Sequence, residues 1–348
     1  MIEKIKKKYI PAFKFGIKLL EAKLKGKRFP LYVGLFITER CNLSCIYCFP
    51  NSPNRKVNDL SKEQIFEIID ELYVMGTRYI TILGGEPMIR KDFGEIVDYI
   101  VNKGMVAECG TNGFYINKHI EAVKKLFTVC NSIDGDKEGH DANRGEGSWE
   151  KIIESIETCQ KHGVPIQMRA VFTKKNVHCL KYLLELSKKY NTSLALAEQS
   201  CVKPEDISYV MTTEEVRDFW IKVKEYKKEG YDIDKSDALL DKIINYPVDI
   251  PYDKIFYEGD VIPEGDFPKC NLSQGYCFID VDGMMYPCAN LFGKYGKNIF
   301  EVGIQGAWDY LGENKCLFCR SSIQDLKSYF FGMDYKSFSV VLRNFLSK

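Results

Sequence analysis

Three cysteines stand within eight residues, in the run Cys41-Asn42-Leu43-Ser44-Cys45-Ile46-Tyr47-Cys48. Thiolates so spaced can wrap one compact metal centre. They are one short of saturating a [4Fe–4S] cluster, which takes four ligands. One iron would then stay open to a substrate or cofactor. Zinc on three cysteines and a water is the alternative. A second group lies in the C-terminal third: Cys270, Cys288, Cys316 and Cys319, spaced C-x17-C-x27-C-x2-C. Asp282-Gly283 between the first two is a hairpin turn signal. A strand pair that delivers two cysteines and a CxxC that delivers two more make a four-thiolate site, for an iron–sulfur cluster or for structural zinc. Cys277 competes with Cys270 for a place in it.

These groups need elements to position them. Leu31–Thr38 is a continuous apolar run that reads as a strand, and the first cysteines follow it. Ser61 with Gln64 three residues on is a capping box, and Ile65, Ile68, Ile69 and Leu72 form the buried stripe of the helix it opens. Further strands are predicted at Tyr79–Leu83, Met105–Cys109, Phe127–Ile133, Ile166–Phe172 and Ser193–Glu198, with helices over 92–103, 117–126, 149–161 and 176–190 between them. Six βα-like units in a row imply a parallel sheet covered by helices. Right-handed crossovers curl such a sheet into a full or partial barrel, with its chemistry on the loops that follow the strands. The expected fold is therefore α/β: a partial (β/α)6 TIM-like barrel with a small cysteine-rich β-hairpin and helix domain after it. The expected division is 1–30, 31–235 and 236–348.

Other motifs fall at the ends of those strands. Gly84-Gly85-Glu86-Pro87 follows the second, and Thr111-Asn112-Gly113 follows the third. Ser132-Ile133-Asp134-Gly135, then His140-Asp141 and Arg144-Gly145, follow the fourth, and Arg169 lies on the fifth. CxxxCxxC with an aromatic before its last cysteine, together with these motifs in this order, resembles the radical S-adenosylmethionine (radical SAM) superfamily. The resemblance implies that Cys41, Cys45 and Cys48 hold a [4Fe–4S] cluster whose open iron binds SAM. It implies that Tyr47, Gly84, Gly85, Glu86, Asn112, Ser132, Asp134 and Arg169 surround that SAM, with the GGEP backbone on its amino group and Arg169 on its carboxylate. An Arg suits that task because it grips a carboxylate bidentately. The glycines would let the chain approach the ligand closely. The C-terminal cysteines resemble the twitch domain, the short form of the SPASM domain, and imply an auxiliary [4Fe–4S] cluster. The family pattern C-x12-G-x4-C favours Cys270 over Cys277.

The resemblance also implies the reaction. The reduced cluster passes one electron to SAM, which cleaves to methionine and a 5′-deoxyadenosyl radical. That radical takes a hydrogen atom from a substrate inside the barrel. A donor such as flavodoxin or ferredoxin would supply the electron. Of the six remaining cysteines, 109, 130, 159, 179, 201 and 277, most read as core. Cys109 ends the third strand and Cys201 follows the sixth, so both are expected near the barrel mouth, as hydrogen-atom donors of the kind radical SAM epimerases use. The four histidines show no paired spacing. The substrate is expected to be a small molecule that is oxidised, epimerised or coupled. A ribosomal peptide is the alternative, weakened because only about 30 residues precede the first strand, too few for the usual peptide-recognition domain. A lipid or isoprenoid is a third reading. A non-enzymatic iron–sulfur or zinc regulator would have no use for a SAM pocket.

Composition sets the outer limits. The 348 residues are 45% hydrophobic and 28% charged, which excludes a disordered or collagen-like chain. Net charge is +1, so a nucleic-acid grip spread over the whole chain is not expected. Thirteen cysteines in a large chain without an export signal fit a reducing cytoplasm. Oxygen-sensitive clusters fit an anaerobic or microaerobic one. Charge is uneven: residues 1–30 hold nine Lys, one Arg and two Glu, a net of +8. There Ile10, Phe13, Ile17, Leu20 and Leu24 recur at helical spacing, with Pro11 expected in the first turn. This basic amphipathic helix either touches an anionic membrane or docks on the domain with its lysines in water. Docking is the expectation, because Phe13 and Phe15 lie on different faces.

Overall fold

The computed structural model describes residues 2–199, 207–247, 250, 254–265, 267, 269–322 and 331. Six strands follow one another in the first 200 residues: β1 (Tyr32–Phe36), β2 (Tyr79–Leu83), β3 (Val106–Thr111), β4 (Thr128–Ser132), β5 (Ile166–Phe172) and β6 (Ser193–Glu198). Each pairs in parallel with the next. β7 (Ile255–Tyr257) pairs instead with β11 (Cys316–Cys319) in a separate two-stranded ribbon. β8 (Tyr276–Ile279) adds to the free edge of β1 in parallel, and β9 (Met284–Tyr286) and β10 (Lys297–Asn298) extend the same sheet antiparallel. The result is one nine-stranded sheet ordered β10-β9-β8-β1-β2-β3-β4-β5-β6. The C-terminal hairpin thus continues the barrel sheet.

The helices are α1 (Ile2–Lys25), α2 (Lys62–Met75), α3 (Phe93–Asn102), α4 (Ile120–Val123), α5 (Lys137–Arg144), α6 (Ser148–Lys161), α7 (Leu180–Lys189), α8 (Thr213–Lys228), α9 (Asp237–Ile244) and α10 (Ile299–Gly312). α2 starts as expected: Ser61 Oγ accepts the Gln64 N–H, and the Gln64 side chain accepts the Ser61 N–H. Its buried residues are Ile65, Ile68, Ile69 and Leu72. Strand alternation then sorts the sheet into two faces. Val33, Leu35, Ile80, Ile82, Ala107, Met168 and Ala170 pack in one core with the helices. Tyr32, Tyr79, Thr81, Glu108 and Arg169 occupy the alternate positions and hydrogen-bond to one another inside the curve of the sheet.

Three elements differ from the expectation. The helix placed over 117–126 is a 3-10 turn at Asn117–His119 followed by the single turn of α4. α5 was not expected at all, since its sequence KEGHDANR has no apolar stripe. Pro11 lies inside α1, not in its first turn, at the cost of one i→i−4 hydrogen bond. α1 is docked, yet through Ala12, Phe15 and Leu19. These three share one core with Leu31, Tyr79, Val106 and Phe127, all at the N-terminal ends of strands. The Phe15 and Tyr79 rings meet edge to face at 5.6 Å. α1 therefore closes the floor of the barrel, and the loops after the strands form its mouth.

Candidate metal and cofactor centre

The first cysteine loop leaves β1 at that mouth. Cys41, Cys45 and Cys48 are each partly exposed and close enough to repel one another as thiolates. Burial, with that mutual repulsion, pushes Cys41 up to about 12, and burial raises Cys45 too. Without a metal the Cys41 and Cys45 thiols keep their protons, and a metal bound here must displace them. Donors point at the sulfurs. The Leu43 N–H reaches Cys41 Sγ at 3.5 Å, Asn112 Nδ2 lies 4.0 Å from the same atom, and Arg144 Nη1 lies 4.0 Å from Cys45 Sγ. Three thiols on one loop, two of them with N–H donors beside the sulfur, suit a cluster with one iron left open.

The loop is bolted to its neighbours. Asp134 is wholly buried, and its carboxylate accepts from the Tyr47 hydroxyl, from Arg144 Nε at 2.7 Å and from the Val171 N–H at 3.0 Å. The Ile46 N–H donates to the Asn143 carbonyl at 3.0 Å. His140 Nδ1 accepts the Asp134 N–H at 3.1 Å. The side chains of Tyr47 and Asp134 thus hold the cysteine loop. Arg144 and His140 are the residues that sequence reasoning quoted but gave no role. Their signal was the D-G-x4-H-D-x2-R-G spacing itself.

Glu86 plays a similar part. Its buried carboxylate accepts from Thr111 Oγ at 3.0 Å and from the N–H groups of Met88 and Asn112 at 3.1 and 2.7 Å. It ties the GGEP and TNG turns together. Burial raises it to about 7. The glycines serve packing as well: a Cβ on Gly84 would stand 2.7 Å from the Thr38 carbonyl oxygen, and one on Gly85 2.4 Å from that of Arg40. The close approach they permit is to the chain that enters the cysteine loop. Ser132 is partly open at the end of β4 and pairs in register with Arg169. Arg169 donates from Nη2 to Glu108 at 2.7 Å and from Nε to Gln167 at 3.0 Å. Asn112 Nδ2 also donates to Asn42 at 2.9 Å.

Cys109 is fully buried in the core on the helix side of the sheet, not in the interior, because strand alternation turns it outward. Its neighbour across the sheet, Cys130, is the thiol beside Gln167 and Arg169. Cys201 lies outside the described residues. Asp136, His178 and Cys179 bring ligand atoms within 4.8 Å of one another. Asp136, however, caps α5 through the Gly139 N–H at 3.0 Å and accepts from Cys179 at 3.5 Å.

The second group assembles from three pieces of chain. Cys288 is buried beside Cys270 and Cys316. Cys319 receives Asn290 Nδ2 at 3.3 Å, and Tyr257 stands beside Cys316, Cys288 and Cys319. The Cys270 N–H bonds to the Leu317 carbonyl. Burial drives Cys288 upward and Cys316 up to about 12. Cys277 sits apart, on β8 in the main core near Arg28. Between the two centres Arg55 bridges Glu39, which follows β1, and Asp280, which follows β8, at 3.3 and 2.8 Å.

Comparison with known proteins agrees with this geometry. Residues 35–187 match the model of the radical SAM superfamily. The mycofactocin maturase MftC of Mycolicibacterium smegmatis is 28% identical over 306 residues, which span 84% of this chain and 74% of that protein. Other curated relatives are matched over about half of their length or less. Among solved structures, Streptococcus suis SuiB bound to the precursor peptide SuiA superposes with a TM-score of 0.65 at 20% identity, covering 84% of this chain and 69% of that one. Native anSMEcpe with bound AdoMet gives 0.65 at 18% identity, covering 91% and 98%. With its three-cysteine loop at the barrel mouth, this chain matches the radical SAM superfamily over residues 35–187, and it carries a second group of cysteines beyond them.

Proposed function

We propose that Cys41, Cys45 and Cys48 hold a [4Fe–4S] cluster and that SAM binds between it and the barrel interior. Cys270, Cys288, Cys316 and Cys319 hold a second, auxiliary cluster. When bound, the pair of cluster and SAM supplies a 5′-deoxyadenosyl radical that abstracts hydrogen from a substrate. The chain's own residues do the rest. The Tyr47–Asp134–Arg144 network fixes the cysteine loop. Backbone carbonyls of the Gly84–Glu86 turn take the SAM amino group, since the N–H groups of Gly85 and Glu86 are already given to Thr38 and Arg40. Ser132 and Arg169 take its carboxylate: among the described residues Arg169 Nη1 has no partner, so one donor edge is left for a ligand. Substrate lies over the interior face formed by Tyr32, Tyr79, Glu108 and Gln167. The observation that carries this reading is three part-exposed thiols on one loop at the mouth, with N–H donors beside Cys41 and Cys45.

The primary substrate reading is a small molecule that is oxidised, epimerised or coupled. A ribosomal peptide is the second, favoured by the maturase relative, whose match spans 84% of this chain. The cluster needs a one-electron donor, for which ferredoxin or flavodoxin serve, and an anaerobic cytoplasm suits both centres. No helix among the described residues is long and apolar enough to cross a membrane. Anaerobic reconstitution should give about eight iron per chain. Replacing Cys41, Cys45 and Cys48 with Ala should remove about half of it and abolish SAM cleavage. Four iron with intact SAM cleavage and one tightly held zinc would overturn the auxiliary cluster.

A further inference from the structure

The stripe that the sequence marks on α1 is not the face that docks. Ala12, Phe15 and Leu19 are buried against the barrel floor. Ile10, Phe13, Ile17, Leu20 and Leu24 remain 46, 71, 51, 49 and 78% exposed. At 3.6 residues per turn the two sets lie on opposite sides of the helix. Five large apolar side chains in one exposed row are unusual on a soluble surface. Lys14, Lys18 and Lys25 run along one flank between the two faces, with Lys14 and Lys25 exposed. Glu21 on that flank is held by Lys18 and Lys25 at 2.6 and 2.9 Å.

We propose that α1 is an interfacial helix that seats the protein on an anionic bilayer, with the barrel floor against the membrane and the mouth turned away from it. An interfacial helix needs an apolar face, basic flanks and an axis lying in the membrane plane. Here the docked face fixes α1 flat across the floor, so its exposed row faces outward along its whole length. The charge selects the occupant. Residues 1–30 carry +8, which attracts anionic headgroups. A second copy of this chain meeting the same row across a two-fold axis would bring +8 against +8.

The topology then fixes the orientation. α1 shares one core with Leu31, Tyr79, Val106 and Phe127 at the starts of strands. The cysteine loop and the GGEP turn follow the C-terminal ends of β1 and β2, the TNG turn begins at the last residue of β3, and Ser132 ends β4. A bilayer on α1 is therefore on the far side of the barrel from the mouth. The helix tethers; it does not feed acyl chains into the site. A substrate must reach the mouth from water, whichever substrate class the enzyme uses.

Co-sedimentation of the reconstituted full-length protein with phosphatidylglycerol and with phosphatidylcholine vesicles tests this. Binding should be at least about tenfold stronger to phosphatidylglycerol, because each basic residue near the surface adds to attraction. The triple variant Phe13→Gln, Ile17→Gln, Leu24→Gln changes only exposed residues, so melting temperature should hold while phosphatidylglycerol binding falls at least about tenfold. SAM cleavage should stay within about twofold with or without vesicles. No binding by the parent protein, or unchanged binding by the variant, overturns the proposal. So does a parent dimer that the variant converts to monomer, or one whose affinity for an acidic protein the variant alone abolishes without affecting vesicles. Loss of SAM cleavage on vesicles would put the bilayer over the mouth and overturn the orientation. The vesicle readout needs no SAM chemistry, so it fails independently of the proposed reaction.

Discussion

The two cysteine groups gather thiols by opposite routes. Cys41, Cys45 and Cys48 come from one loop of eight residues. That loop is clamped by a buried charged network, in which Asp134 takes the Tyr47 hydroxyl and the Arg144 guanidinium. Cys270, Cys288, Cys316 and Cys319 come from a loop, a hairpin end and an edge ribbon. What holds the last two is a small satellite core of Tyr246, Phe256 and Phe318 and the pairing of β7 with β11, while Cys270 and Cys288 pack with Leu272 and Leu291 in a larger core. The first group is thus positioned by protein before a metal arrives. The second depends more on the metal itself to close the three-way meeting of its chain segments. One region stores its order in polar contacts inside a deep fold, the other in a few aromatic contacts near the surface.

The largest expected effect comes from breaking the first region's clamp. Arg144→Met leaves the Asp134 carboxylate buried without its cation. Stranding one partner of a buried pair costs about 3–5 kcal/mol. Urea denaturation should show a loss of that size. Iron analysis after anaerobic reconstitution should show the share on Cys41, Cys45 and Cys48 reduced, with the C-terminal share kept. Full iron content at both sites would mean that the cysteine loop does not need the clamp.

The mirror experiment acts on the second region. Phe318 is stacked between Phe256 at 4.7 Å and Phe267 at 4.8 Å and is 3% exposed. It lies between Cys316 and Cys319 on β11. Phe318→Ala should cost about 3 kcal/mol where the site cannot collapse. The loss falls on a satellite core, so hydrogen exchange should rise at β7 and β11 and leave β1 to β5 protected. The C-terminal iron should be lost while SAM cleavage persists. Equal loss of exchange protection across the barrel sheet would show that the two regions unfold as one.

How much of this was legible depends on whether order is local. β2, β5 and β6 fall at the residues the apolar runs predict, and the Ser61 capping box forms as read. Both cysteine groups were visible as spacings. α5 was not, because its buried residues are Gly139, His140, Asn143 and Arg144. A helix buried through polar contacts leaves no hydrophobic period to read. The hydrogen-bonding role of Asp134 left no signal for the same cause: its partners, Tyr47 and Arg144, are 87 and 10 residues away. The parallel pairing of β8 with β1 is non-local and carries no short-range signal. On α1 the period showed a stripe at Ile10, Phe13, Ile17, Leu20 and Leu24, while the residues that dock are Ala12, Phe15 and Leu19. Period alone says that a stripe exists, not what it meets.

The smallest expected effect separates the regions by pH. The chain's four histidines, 119, 140, 162 and 178, all precede the second group, and only His140 is built into the first. Burial, helped by the nearby Arg144 charge, pulls its imidazole from 6.5 down to about 4. Nδ1 accepts the Asp134 N–H, which the neutral ring alone can do. Above pH 6.5 the ring is neutral in both folded and unfolded chains, and its contribution is fully present. Below that, the unfolded chain takes up a proton that the folded one refuses. Stability is therefore lost as pH falls from about 6.5 through about 4. Urea midpoints of metal-free protein should decline across that window more steeply for the parent than for His140→Gln, whose amide oxygen can accept the same N–H without titrating. Exchange protection should fall first around Asp134 and Ile46, while the amides of β7 and β11 follow only the global trend. Parallel pH curves for parent and variant would remove His140 from the clamp and leave Arg144 and Tyr47 to hold Asp134 alone.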